Sequence, residues 1–287
     1  MNRTRTLATL VVAGLALTAC SPADDTATES TASASGITCD KATLETKQPG
    51  KLVIATGQPT YEPWVKNDAP ESGEGFEAAV AYAAAEKLGF GEADVQWIRT
   101  PFEVAIAPGP KDFDWNIQQF TITEDREKAV DFSSSYYDAP QAVITYTGSP
   151  IAGATTVAEL KEAKLGASVG STSLIAAQEV IAPTQEVAVF NDNADAVKSL
   201  KNKSIDGIVV DLPTGFYLVN VEIDGGVMVG QLPAAEGQPI DQYGILLTND
   251  SPLTACTAQA VDQLRADGTL DALEAEWLPD ASAPALK

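Results

Sequence analysis

Short apolar runs that stop at glycine, proline or an acid, each followed by a helical stretch, recur along most of this chain and restrict it to an α/β fold. Leu52-Val-Ile-Ala55 is the first of them, fit for a parallel strand covered on both faces. The turn after it, Thr56 to Trp64, is rich in glycine, proline and aromatic residues. A loop at the C-terminal end of a strand is where open α/β sheets bind ligands. The spacing then predicts a helix from Gly75 to Leu88, with Phe76, Ala79, Val80 and Ala83 on one face and Gly89 as its stop. Val95 to Ile98 reads as a strand, Phe102 to Ala107 as a short helix, and Trp115 to Gln118 as a further strand.

Gln141 to Tyr146 is an extended run that leads into a second series. Thr156 caps a helix, Lys164 to Ser168 is a strand, and Ser171 opens the next helix. Strands over 185–189 and 205–210 flank a helix over 192–200, and the last of them ends in Asp211. Tyr243 to Leu247 returns as a strand, followed by helices over 252–266 and 270–277. Two lobes joined by extended crossovers near Ala139–Val143 and Gln242–Ile245 accommodate both series, with a ligand cleft between them.

The first residues belong to neither series. Arg3 and Arg5 precede an apolar stretch, Leu7 to Leu17, too short to span a bilayer. Leu17-Thr-Ala-Cys20 follows, with the form of a bacterial lipobox. Residues 1–19 therefore read as a signal peptide, and residues 20–37 as a lipidated Cys20 followed by a Ser/Thr/Ala-rich tether. Of the folded part, 38–140 and 243–287 are assigned to one lobe and 141–242 to the other. Export makes the remaining pair, Cys39 and Cys256, a candidate disulfide, two buried thiols being the alternative.

Composition removes several function classes. The chain has 18 basic and 40 acidic residues, a net charge of −22, which argues against nucleic acid as a partner. It contains no histidine, so no Ser-His-Asp triad and no His-ligated metal can form. Gly166-Ala-Ser-Val-Gly170 imitates a hydrolase nucleophile elbow but lacks that partner, and reads instead as a helix start capped by Ser171. Asp112-Phe-Asp-Trp-Asn116 imitates a calcium loop until Ile117 replaces the turn glycine and Thr123 the bidentate glutamate. No metal or cofactor is implied.

The chemistry left is recognition of a small charged molecule. Gln119-Phe-Thr-Ile-Thr-Glu-Asp-Arg126 places hydroxyls, free N–H groups and a guanidinium around one volume, as a carboxylate requires. A surface arginine capping a loop is the alternative. Asp211 could pair with an ammonium group or cap the helix that begins at Leu212-Pro213. Tyr61, Trp64 and Phe102 could wall a pocket or belong to ordinary apolar contacts.

Several runs occur together in one order: Lys51 to Ala55, Pro59-Thr-Tyr-Glu-Pro-Trp64, Gly75-Phe-Glu77, Thr121 to Arg126, Val130-Asp-Phe-Ser133, Val169 to Thr172, Asp206 to Asp211, and Leu264 to Thr269. In that order they resemble the family 3 extracellular solute-binding proteins, the polar amino-acid receptors of ABC importers. The resemblance implies a two-lobe type II periplasmic-binding-protein fold, extracytoplasmic, held at the cell membrane through Cys20 and monomeric, that delivers an amino acid to a permease. It further implies that Arg126 holds the ligand carboxylate, assisted by N–H groups at Thr121 and Thr172 beside Ser171. Asp211, with the Gln119 carbonyl and Thr121 hydroxyl, would hold the ammonium, and Tyr61 would stack over the side chain.

Basic-amino-acid binders of the family often carry an acid where this chain has Gln58, so the expected ligand side chain is neutral or acidic. Some relatives resemble dehydratases of cyclic amino acids, which makes an enzyme of the cyclohexadienyl or arogenate dehydratase type the alternative. No further acid in the cleft is evident for such catalysis, so a binding protein without enzyme activity is expected.

Overall fold

The apolar run at Leu52 becomes β1 (Leu52–Thr56), buried at every position. The computed structural model in which it lies describes residues 38–234, 240–278 and 283–287. The signal segment and Cys20 lie outside the described residues. After β1 come α1 (Phe76–Lys87), β2 (Val95–Arg99), α2 (Phe102–Ile106), β3 (Trp115–Asn116) and β4 (Val130–Ala139). Pro140 alone separates β4 from β5 (Gln141–Tyr146), where the second lobe begins. β6 (Leu165–Ser168), α3 (Thr172–Ala176), β7 (Ala188–Phe190), α4 (Asn193–Lys201), β8 (Gly207–Asp211), α5 (Leu212–Tyr217) and β9 (Gly226–Gln231) follow. The chain then returns as β10 (Asp241–Thr248), α6 (Thr254–Ala266) and α7 (Thr269–Trp277).

Each lobe is built on a five-stranded mixed sheet, ordered β2-β1-β3-β10-β4 and β7-β6-β8-β5-β9. β1 runs parallel to β2 and β3, while β10 is antiparallel to β3 and β4. This is the two-lobe arrangement expected, with one displacement. Gln242 to Ile245 do not form the second crossover. They lie within β10, which pairs with β4 from Asp241↔Ala139 onward, so the chain has already reached the first sheet there.

Alanine-rich α1 buries residues on most of its circumference, because it lies over the first sheet and also meets α6 and α7. Its start depends on Gly75, at φ 101°, where a Cβ would come within 2.6 Å of the Trp64 carbonyl oxygen. Cys39 and Cys256 form a disulfide that ties the segment before β1 to α6. One of the calcium-like acids is structural: buried Asp114 accepts hydrogen bonds from the N–H groups of Lys47 (2.7 Å) and Val53 (2.8 Å).

The C-terminal residues correct an expected boundary. They were assigned to the first lobe, but Ala285 bridges to Gln231 and Leu286 is buried in the core of the second lobe. Gly230 permits this, since a Cβ there would stand 2.6 Å from the Pro284 carbonyl oxygen.

Candidate functional site

Strand ends from both sheets and the helix starts beyond them converge on a cavity of about 100 Å³ open to the centres of water-sized groups. That is room for roughly seven to ten such groups, the size of one amino acid. Arg126 enters it from the loop before β4. Its Nη1 donates to the Thr121 carbonyl at 2.7 Å and its Nη2 to the Gly170 carbonyl at 2.9 Å. The guanidinium thus spans the two lobes, with its carbon 5.4 Å from the centre of the Phe102 ring. Burial pushes its pKa down from the usual arginine value. Among the described residues no carboxylate comes within 4.0 Å of it, so its remaining N–H groups carry no ionic partner.

Asp211 ends β8 on the opposite wall and is 7% exposed. Of its two sequence readings, the helix cap is seen directly. Oδ1 accepts from the Thr214 N–H at 2.9 Å, capping α5, while Oδ2 accepts no protein hydrogen bond among the described residues. Burial raises its pKa to about 6 against the lowering effect of Thr214.

Gln119 lines the cavity in a left-handed conformation, φ 49°, unusual for a residue with a Cβ. Glu77, fully buried in the first turn of α1, compensates. It accepts the Gln119 N–H at 2.7 Å, the Gln119 side-chain amide and the Tyr136 hydroxyl. Burial nevertheless pushes the Glu77 pKa up to about 7. No local pattern marks Glu77 for this support, since an acid in the first turn of a helix already suits the helix dipole.

Tyr61, Phe102, Ser171 and Thr172 also line the cavity, as expected. Phe102 stacks on Phe120 with centroids 4.8 Å apart, and Ser171 caps α3 by accepting from the Leu174 N–H at 3.1 Å. Three candidates do not line it, and one of them, Trp64, is buried in the first lobe's core instead. Thr121 is buried behind the wall, its hydroxyl 3.0 Å from that of Thr172, so that it braces one lobe against the other. Gln58 is exposed and outside the lining, because the loop after Gly57 turns it to solvent. Gln118, Ser168, Asp192 and Tyr243 line the cavity without having been anticipated.

Further contacts join the lobes around the site. Trp64 Nε1 donates to Thr214 Oγ1 at 2.7 Å, next to the turn capped by Asp211. Within the second lobe Ser173 donates to the side-chain oxygen of Gln141 at 2.7 Å, and the Gln141 amide crosses to Asp241 of β10 at 2.9 Å. A cavity with a free guanidinium on one wall and a free carboxylate oxygen on the other can hold a zwitterion.

The profile of the bacterial extracellular solute-binding proteins, family 3, matches residues 52–280. The ABC transporter glutamine-binding protein GlnH of Bacillus subtilis (strain 168) is 26% identical over 238 residues, 82% of this chain and 83% of the relative. The L-arginine-binding protein of Pseudomonas aeruginosa is 29% identical over 203 residues, 68% of this chain and 75% of the relative. A solved structure described as an ancestral arginine-binding protein bound to glutamine is 29% identical, covers 81% of this chain and 100% of its own, and superposes with a TM-score of 0.66. Both lobes and the cavity between them fall within the matched region, and the chain belongs to the bacterial extracellular solute-binding proteins of family 3.

Proposed function

We propose that this chain is a lipid-anchored extracytoplasmic receptor that binds one α-amino acid between its lobes and delivers it to an ABC import permease. The observation that carries the reading is the pairing of Arg126, without an ionic partner among the described residues, with Asp211, whose Oδ2 is free, across one cavity of amino-acid size. The ligand carboxylate meets Arg126 and its ammonium meets Asp211. The relatives named above are binding proteins by description, which supports binding without catalysis.

Calorimetric titration with the proteinogenic amino acids at pH 7.5 tests this, and at least one should bind with one-to-one stoichiometry. Affinity should then fall as the pH drops through about 6. Asp211 is ionised above that value, below it must lose a proton to accept the ammonium, and the loss approaches about tenfold per pH unit. No binding by any amino acid overturns the reading, and affinity unchanged down to pH 5 removes Asp211 from it.

The anchor rests on the Leu17-Thr-Ala-Cys20 run. Cys20→Ser should move the protein from the membrane to the soluble fraction, and retention in the membrane contradicts the assignment.

A further inference from the structure

The cavity wall carries more acceptors and more negative charge than its own donors satisfy. Asp192, the residue before α4, accepts the Asp195 N–H through Oδ1 at 2.8 Å, and its Oδ2 accepts nothing among the described residues. It stands close enough to Tyr61 for its charge to help burial raise the phenol pKa to about 12. The Tyr61 hydroxyl is buried without a hydrogen-bond partner; the Ala194 N–H is nearby but outside bonding geometry. Gln118 Oε1 is buried and unpartnered in the same way, its amide pressed against Gly57, where a Cβ would come within 2.6 Å. Glu103 stands exposed at the rim.

The charges can be counted. Asp211, Asp192 and Glu103 face one cation, Arg126. Lys198, the basic residue one turn into α4, is held by Asp195 at 2.9 Å and does not line the cavity. A zwitterionic head engages Arg126 and Asp211 and leaves Asp192 and Glu103 uncompensated. An anionic side chain would be repelled there, and a neutral one would cover Asp192 without pairing its charge, while Glu103 at the rim stays in water. A protonated amine or guanidinium supplies positive charge and donors together, which the orphan oxygens of Tyr61 and Gln118 also require.

We infer that the ligand is a cationic α-amino acid whose side-chain charge is held by Asp192, between Tyr61 and the rim at Glu103. The inference rests on the amino-acid reading of the cavity and names its substrate class. It also replaces the expectation drawn from Gln58: the acid for a basic side chain comes from the start of α4 in the second lobe, not from the loop after β1.

The experiment is calorimetric titration of the wild type, Asp192→Asn and Glu103→Gln with L-lysine, L-arginine, L-glutamine and L-glutamate. Asparagine caps a helix as well as aspartate does, so α4 is retained, and thermal unfolding of each variant checks this. Lysine or arginine should bind the wild type at least about tenfold more tightly than glutamine or glutamate. Asp192→Asn should weaken the cationic ligand by about ten- to hundredfold and change glutamine binding little. Glu103→Gln, at the exposed rim, should cost less than about tenfold. Tighter binding of glutamine or glutamate than of both cations overturns the inference and leaves the amino-acid receptor standing. Equal weakening of every ligand in Asp192→Asn also overturns it, since that marks a structural role. If no amino acid binds the wild type, the receptor reading fails and this inference with it.

Discussion

Arg126→Ala should weaken the bound amino acid by roughly two to three orders of magnitude. Removing one partner of a buried, hydrogen-bonded charge pair costs about 2–5 kcal/mol, and each 1.4 kcal/mol is about tenfold in affinity. Two losses combine in this variant. The ligand carboxylate loses its cation, and the lobes lose the bridge from the Thr121 carbonyl to the Gly170 carbonyl that the guanidinium makes at 2.7 and 2.9 Å. Arg126→Lys should recover only part of the affinity, because an ammonium cannot hold two carbonyls and a carboxylate in one plane. The fold should persist, since the side chain lies at a cavity wall and its packing on Phe102 contributes about 1 kcal/mol. Titration of the cognate amino acid beside thermal unfolding of the ligand-free variants separates binding from stability. Wild-type affinity in Arg126→Ala would place the carboxylate elsewhere.

Removing the disulfide should have the largest effect on stability. Cys39 and Cys256 are 217 residues apart in sequence. Cross-linking so long a loop constrains the unfolded chain by up to roughly 4–5 kcal/mol in the chain-entropy account. Cys39→Ala with Cys256→Ala should therefore unfold at a clearly lower denaturant concentration, with a loss of roughly 2–5 kcal/mol. Alanine is the suitable replacement, because Cys256 is 2% exposed and packs in the first lobe's core. Ligand affinity should change little, since neither cysteine lines the cavity. An unchanged midpoint would mean that the arm before β1 is held by packing alone, through residues such as Leu44.

The elements legible in the sequence are those whose signal is local. β1 and β8 are continuous apolar runs and are buried throughout. The helix expected from Gly75 to Leu88 is α1 within a residue at each end. Thr156, Ser171 and Asp211 accept hydrogen bonds from the N–H groups that their sequence positions imply. β4 and β9 were not legible. β4 carries Ser133-Ser-Ser135 and an acid near either end, and β9 is interrupted by glycine, so neither shows the apolar run of a buried strand. Both lie at sheet edges and are held by pairing, β4 to β10 and β9 to β5.

The site divides the same way. Arg126, Asp211 and Tyr61 could be chosen because they fall in the ordered runs that resemble the family; taken alone, Arg126 also reads as a loop cap and Asp211 as a helix cap. Glu77 and Asp192 could not, because an acid beginning a helix is already explained as a cap or a partner for the helix dipole. Gln58 fails for the converse reason: it sits in a loop suited to ligand contact, and the backbone turns it outward. By itself the sequence marked the apolar strands, the capped helix starts and Arg126 and Asp211 as candidate charges, since each depends on residues within a few positions. The place of Asp192 in the cavity wall, the support of Gln119 by Glu77 and the contacts between the lobes were decided by tertiary structure. They join groups as far apart as Trp64 and Thr214, 150 residues along the chain, and a local pattern carries no information about which distant side chains share one small volume.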